Sequence, residues 1–230
     1  MNTISGATWF KFLGFKGLKN SKSVTLIELL ISMMIIAIMV LSFYSLEIYG
    51  HQQVMSADRR SKVQNSLSYC LEHMSKYVQQ ANGNFSRKAI QYIPGPTGAS
   101  ATGFRVYIDL KSPQTPSVLT DDSWIDYTLS SNTLTATCNA GSGGGVCPFT
   151  TENLSDKIID GIEGDTIMPS NPASGFYINI GSLTDTLGTF VDIGLVGRYK
   201  PAEATSLITR LTNPQVAMKT QLICSSSSTR

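Results

Sequence analysis

The chain has 230 residues, 42% of them hydrophobic and 15% charged, with 18 basic and 16 acidic side chains for a formal net charge of +2. Its basic residues form no stripe interleaved with aromatics of the kind that tracks a phosphate backbone, which argues against a nucleic-acid partner. Two histidines and four cysteines leave little material for metal or acid–base chemistry.

The first 23 residues contain Lys11, Lys16, Lys19 and Lys22 and no acid, so the chain beyond Ser23 carries 14 basic residues against 16 acidic ones. The positive balance therefore belongs to this opening segment. Its stretch Trp9 to Lys16 is basic and aromatic, suited to lie on the inner leaflet of a membrane. Next come 18 uncharged residues, Leu29 to Leu46. A helical span of the hydrocarbon layer needs roughly 17–25 residues, so this run predicts a single membrane crossing over residues 24–49. Lysines before the span and none immediately after it place the N-terminus in the cytoplasm and the remainder outside. A secretory signal peptide has a shorter apolar core of about 7–15 residues and a small-residue cleavage site; here the apolar run passes straight into further helical pattern. Glu28 stands at the mouth of the span. It reads either as a carboxylate that reaches the interface or as a buried acid that requires a cationic partner.

The string Val24-Thr25-Leu26-Ile27-Glu28-Leu29-Leu30 resembles the start of type IV pilins and type II secretion pseudopilins. In that family a basic leader precedes a cleavage point, and a glutamate stands fifth in the mature chain. Here Val24 would be first and Glu28 fifth, although Ser23 stands where the family prefers glycine and Val24 where it prefers phenylalanine. The resemblance implies that a prepilin peptidase cuts between Ser23 and Val24 and that the new N-terminus is methylated. It also implies that Glu28 then pairs with the α-amine of a neighbouring subunit during assembly.

Beyond the span, Val63, Leu67, Cys70, Leu71, Met74, Tyr77, Val78 and Ala81 recur at helical spacing, and Asn82-Gly83-Asn84 is a stop signal. One helix from about Val24 to Ala81 would measure on the order of 85 Å. Its first half belongs in lipid, and its second, residues 50–82, carries an apolar stripe that needs a sheet to cover it. Residues 83–224 supply that sheet. Phe104 to Leu110, Phe176 to Ile180 and Thr189 to Ile193 alternate as strands, Gln215 to Ile223 reads as a final strand, and Trp124 to Leu129 with Thr133 to Cys138 form a hairpin. Pro94 to Ser100 is a loop by composition, Thr151 to Ile162 is helix or strand, and residues 225–230 form a disordered tail. The expected class is α+β: a long N-terminal helix, membrane-spanning in its first half, packed on an antiparallel β-sheet domain in pilin-like fashion.

Cysteines exported from the cytoplasm tend to pair. Cys138 and Cys147 bracket a flexible glycine-rich loop and are the favoured pair, which leaves Cys70 and Cys224 either to pair with each other or, for Cys70, to remain a buried thiol. His51 and His73 lie 22 residues apart on the long helix and read as surface histidines. No metal-ligand spacing appears and no cofactor is implied. Gly141 to Gly145 lacks the ending of a phosphate loop, while Asp160 to Asp165 reads as an acidic turn or, less naturally, as an oxygen set for calcium. The run Arg59-Arg60-Ser61-Lys62 reads as a solvated or headgroup-facing surface.

The sequence thus predicts a non-enzymatic subunit of the bacterial inner membrane that joins a pilus or pseudopilus, with the C-terminal domain in the periplasm. Its expected partners are the membrane, prepilin peptidase and other major and minor pilins or pseudopilins, with no small-molecule substrate. Chain size and the stretch Trp124 to Leu129 followed by Leu134 resemble the W-type minor pilins and the J-type pseudopilins. A membrane-tethered adhesin or periplasmic enzyme is the alternative from another class.

Overall fold

A computed structural model describes residues 25–83, 87–93, 103–115, 118–159, 175–182, 189–203 and 212–224. Helix α1, Leu26–Gln79, spans two compact units that divide after Tyr49. In the first unit the helix is uncharged from Leu29 to Leu46, and every described side chain is exposed. It is long and apolar enough to cross a membrane. Its serine hydroxyls stay within the helix: Ser32 donates to the Glu28 carbonyl, Ser42 to that of Ile38 and Ser45 to that of Ser42, at 2.8–2.9 Å. None of these three donors would be left unpaired in a hydrocarbon surrounding.

The second unit begins at Gly50 and contains the rest of α1 and eight described strands. Strands β1 (Ile90–Ile93), β2 (Gly103–Ile108), β3 (Ser123–Ser130), β4 (Thr133–Asn139) and β5 (Thr151–Ser155) form an antiparallel sheet in chain order. Strands β6 (Phe176–Ser182), β7 (Thr189–Arg198) and β8 (Gln215–Ile223) form a second antiparallel sheet, again in chain order.

Alternation explains why the five-stranded sheet has one dry face. Phe104, Val106 and Ile108 on β2, Ile125, Tyr127 and Leu129 on β3, and Leu134, Ala136 and Cys138 on β4 are all buried. The intervening Arg105, Tyr107, Trp124, Asp126, Thr128 and Thr135 face outward and pair across strands. Arg105 grips Asp126 with two bonds of 2.6 and 2.9 Å, and Thr128 shares a hydroxyl bond with Thr135 at 3.0 Å. The β3–β4 hairpin closes through Ser131 and Asn132, both with positive φ (48° and 66°). That is the backbone of a type I′ turn, whose twist matches the strands it joins.

The helical stripe read from the sequence is the one that packs. Val63, Leu67, Cys70, Met74, Val78 and Ala81 are fully buried and Tyr77 nearly so, in one core shared with both sheets, while Leu71 is half-buried at its border. The helix ends where Asn82-Gly83 predicts. Ala81 bridges to Ile108, and the Asn82 N–H donates to the Tyr107 carbonyl. Gly83 lies so close to the Ala89 backbone that a Cβ there would collide with it.

The antiparallel β layer expected over the helix is present and is divided into two sheets. After β5 the chain turns so that Lys157–Ile159 pair with the far end of β7, through the Ile158–Gly197 bridge and bonds from Ile159 N–H to the Val196 carbonyl and from Arg198 N–H to that of Lys157. On the other side the Ile180 N–H donates to the Tyr92 hydroxyl at 2.7 Å. The undecided stretch after Thr151 is strand up to Ser155, and β7 continues past Ile193 to Arg198. The loop at Pro94 to Ser100, the acidic turn at Asp160 to Asp165, the tail 225–230 and residues 1–23 lie outside the described residues.

Candidate assembly site

The start of α1 is built on a reciprocal cap. Thr25 donates its backbone N–H and its hydroxyl to one oxygen of Glu28, at 2.9 and 3.0 Å, and the Thr25 hydroxyl oxygen faces the Glu28 N–H at 3.4 Å. Threonine followed three residues later by glutamate is the capping-box pattern, in which two otherwise orphaned donors of the first turn are satisfied. The carboxylate also lies in the first turn, where the helix dipole favours negative charge. Sequence reasoning singled out Glu28 but missed that Thr25 holds it; the Thr-x-x-Glu spacing was the available signal. Glu28 is exposed and retains a second oxygen for another donor. Ser23 and Val24 lie outside the described residues.

Residues 18–44 match the prokaryotic N-terminal methylation motif. The chain therefore carries the prepilin-type N-terminus of a type IV pilin-like or pseudopilin-like protein. No curated protein and no solved structure matches the chain. The prepilin-type motif covers the Ser23–Val24 junction, Thr25, Glu28 and most of the apolar run, and it implies processing by prepilin peptidase and assembly with other pilins. The helix and sheets beyond it are those of a pilin-like α+β fold.

In the second unit, Cys138 and Cys147 form a disulfide with their Cα atoms 5.8 Å apart. The loop they close is seated, not free: a Cβ at Gly141 would strike the Asp122 carbonyl, one at Gly144 that of Asp121, and one at Gly145 that of Leu110. These glycines permit backbone-to-backbone approach. Beneath the loop lies a charged network. Lys111 bonds Asp121 at 2.8 Å and holds its carboxyl below the ordinary range, while Thr115 donates to the same oxygen at 2.9 Å. Arg87 pairs with the buried Asp122, whose carboxyl burial pushes upward despite that partner. Reducing the disulfide, or replacing both cysteines by serine, is expected to lower stability by roughly 2.5 kcal/mol, the loop-closure value for so short a ring. Denaturant unfolding with and without reductant measures it, and an unchanged midpoint would contradict the assignment.

The other cysteines do not pair. Cys70 is buried on the helix stripe beside Ser155 of β5, and burial pushes its thiol up to about 12. Cys224 follows the last strand of the other sheet and is pushed by burial to about 11. Both are buried thiols with little thiolate character, which corrects the alternative that joined them.

The histidines also divide. His51 is exposed, as expected. The side chain of His73 is only 10% exposed and meets Tyr77, Phe149, Tyr127 and Tyr69 at ring-centroid distances of 5.0, 5.4, 5.8 and 6.3 Å. Its reading as a surface residue is therefore corrected: it borders the buried stripe, one turn from Tyr69 and one from Tyr77. The basic run divides likewise. Arg60 and Lys62 are exposed, but Arg59 donates to the Thr212 carbonyl at 2.6 Å and lies over the Tyr199 ring, tying α1 to the approach to β8. Among the described residues no three metal-ligating side chains converge.

Proposed function

We propose that the protein is a minor pilin whose activity is assembly: it is processed between Ser23 and Val24, and it helps to initiate or support a type IV pilus. The observation that carries this reading is the position of Glu28, a single acid in the first turn of an apolar helix, inside a prepilin-type motif and fifth after the implied cut. Before processing, Thr25 supplies the carboxylate's hydrogen bonds from within the chain. After processing, the methylated α-amine of Val24 on a neighbouring subunit supplies a full counter-charge. A buried carboxylate is costly alone and tolerable when paired, so the pairing selects one axial register over other packings of the same apolar helices.

Catalysis is not part of this reading, because the assembly chemistry needs only the new amine and the acid. The first test is the mass and N-terminal sequence of the chain recovered from cells. We expect a start at Val24 carrying an added methyl group; a chain that still begins at Met1 would overturn the proposal. Deletion then separates the pilus reading from its nearest alternative. Loss of surface fibres supports a pilus subunit, whereas retained exoproteins with normal fibres would identify a J-type pseudopilin of a type II secretion system instead.

A further inference from the structure

His73 is where four parts of the second unit meet: α1 itself, Tyr127 of β3, Glu152 of β5, and Phe149, just beyond the cystine that closes the glycine loop. Its Nδ1 lies 3.1 Å from the Tyr127 hydroxyl, and its Nε2 lies 3.7 Å from a Glu152 oxygen. A neutral ring protonated on Nε2 suits both neighbours. Nδ1 then accepts the Tyr127 O–H, and Nε2–H faces the carboxylate.

We propose that His73 is a proton-sensitive latch that holds the outer half of α1 on the five-stranded sheet and loosens as the surroundings acidify. A second proton must go to Nδ1, which converts the acceptor for Tyr127 into a donor. Tyr127 is fully buried, and its hydroxyl hydrogen then loses the acceptor that His73 provides. An orphaned donor in a buried aromatic cluster is relieved most directly by drawing the helix away from the sheet.

The charged and titratable groups around the ring do not cancel this cost. On α1, Lys76 repels a second positive charge, while Tyr69 and Tyr77 present aromatic rings. On β3 the group is Tyr127, whose ionisation burial pushes well above its ordinary range. On β5 Glu152 attracts the imidazolium through the oxygen that faces Nε2, while its other oxygen accepts the Tyr69 hydroxyl at 2.5 Å. Phe149 adds no charge. Burial is the largest influence and holds His73 below its ordinary 6.5, with Lys76 acting in the same direction and Glu152 against it.

The sign follows from linkage. The unfolded chain takes up this proton at higher pH than the folded one, so the stabilisation is complete above about pH 6.5 and is lost as pH falls through the depressed folded value.

The test uses the full chain in lipid nanodiscs. Imidazole NMR of histidine-labelled protein has two side chains to resolve, and His51→Gln assigns them. The His73 ring is expected to titrate below 6.5; titration at or above that value overturns the latch. In parallel, thermal melting is compared at about pH 7.5 and 5.5 for the wild type and His73→Gln. The wild type should lose on the order of 3 °C more than the variant, with amide exchange quickening in the segment Ser66–Gln79. Equal losses in the two proteins would also overturn the proposal. If His73→Gln does not fold, the ring titration of the wild type decides alone.

Discussion

Replacing Glu28 with leucine should leave the chain in the membrane and remove it from filaments. Insertion should not suffer, because an acid near a span costs up to about 3 kcal/mol on insertion scales and leucine none. Local structure suffers a little: Thr25 loses the oxygen that accepts its N–H and hydroxyl, a capping loss of about 1 kcal/mol at the helix start. Assembly suffers most. A neighbour's α-amine buried against an aliphatic side chain in place of the acid would be an unpaired charge, at a cost of about 3–5 kcal/mol, equivalent to a loss of incorporation of about 10²- to 4 × 10³-fold. Glu28→Gln separates the two effects, since it keeps an acceptor for Thr25 and removes the charge. The check is the ratio of this chain in sheared filaments to that in alkali-washed membranes. Wild-type incorporation of Glu28→Leu would remove the electrostatic basis of the proposed assembly.

The second large effect is expected at Leu67. It is fully buried on the helix stripe, and a Cβ placed on Gly197 of β7 would lie 3.1 Å from both Leu67 Cδ2 and Val63 Cγ1. The helix thus rests almost directly on the β7 backbone at the residue that bridges to Ile158. Leu67→Ala should cost about 3 kcal/mol, within the 2–5 kcal/mol found for such truncations, because a strand backbone paired on both sides cannot move in to refill the space. Denaturant unfolding would show a lower midpoint with an unchanged slope. A loss below about 1 kcal/mol would mean that the helix is not anchored there.

What could be read from the sequence was what repeats locally. The buried stripe from Val63 to Ala81, the alternation of β2, β3 and β4, and the turn at Ser131-Asn132 each announce themselves within about twenty residues. Glu28 was visible because it is the only charge between Lys22 and Glu47. What escaped depends on partners far along the chain. β1 has only four residues and becomes a strand through its register with β2. The division into two sheets is decided by how Lys157–Ile159 meet β7, which no local pattern encodes. His73 looked exposed because histidine is polar and lies at the stripe's border; Tyr127, Glu152 and Phe149 bury it, and all three are more than 50 positions away. The glycine cluster looked flexible because its tight seat on Asp121, Asp122 and Leu110 belongs to another part of the chain.

The contacts of α1 with the end of the chain constrain how this protein can be made. Ser68 reaches Met218 at 3.8 Å and Arg59 reaches Thr212, pairs separated by 150 and 153 positions. A ribosome delivers the helix first and β8 last, so the part of the α1 stripe that the second sheet covers stays bare until the intervening strands have been made. Chains with such distant closing contacts fold slowly and are prone to sticking while they wait. The newborn chain therefore has a window in which a holdase, or another chain's helix, competes with its own last sheet.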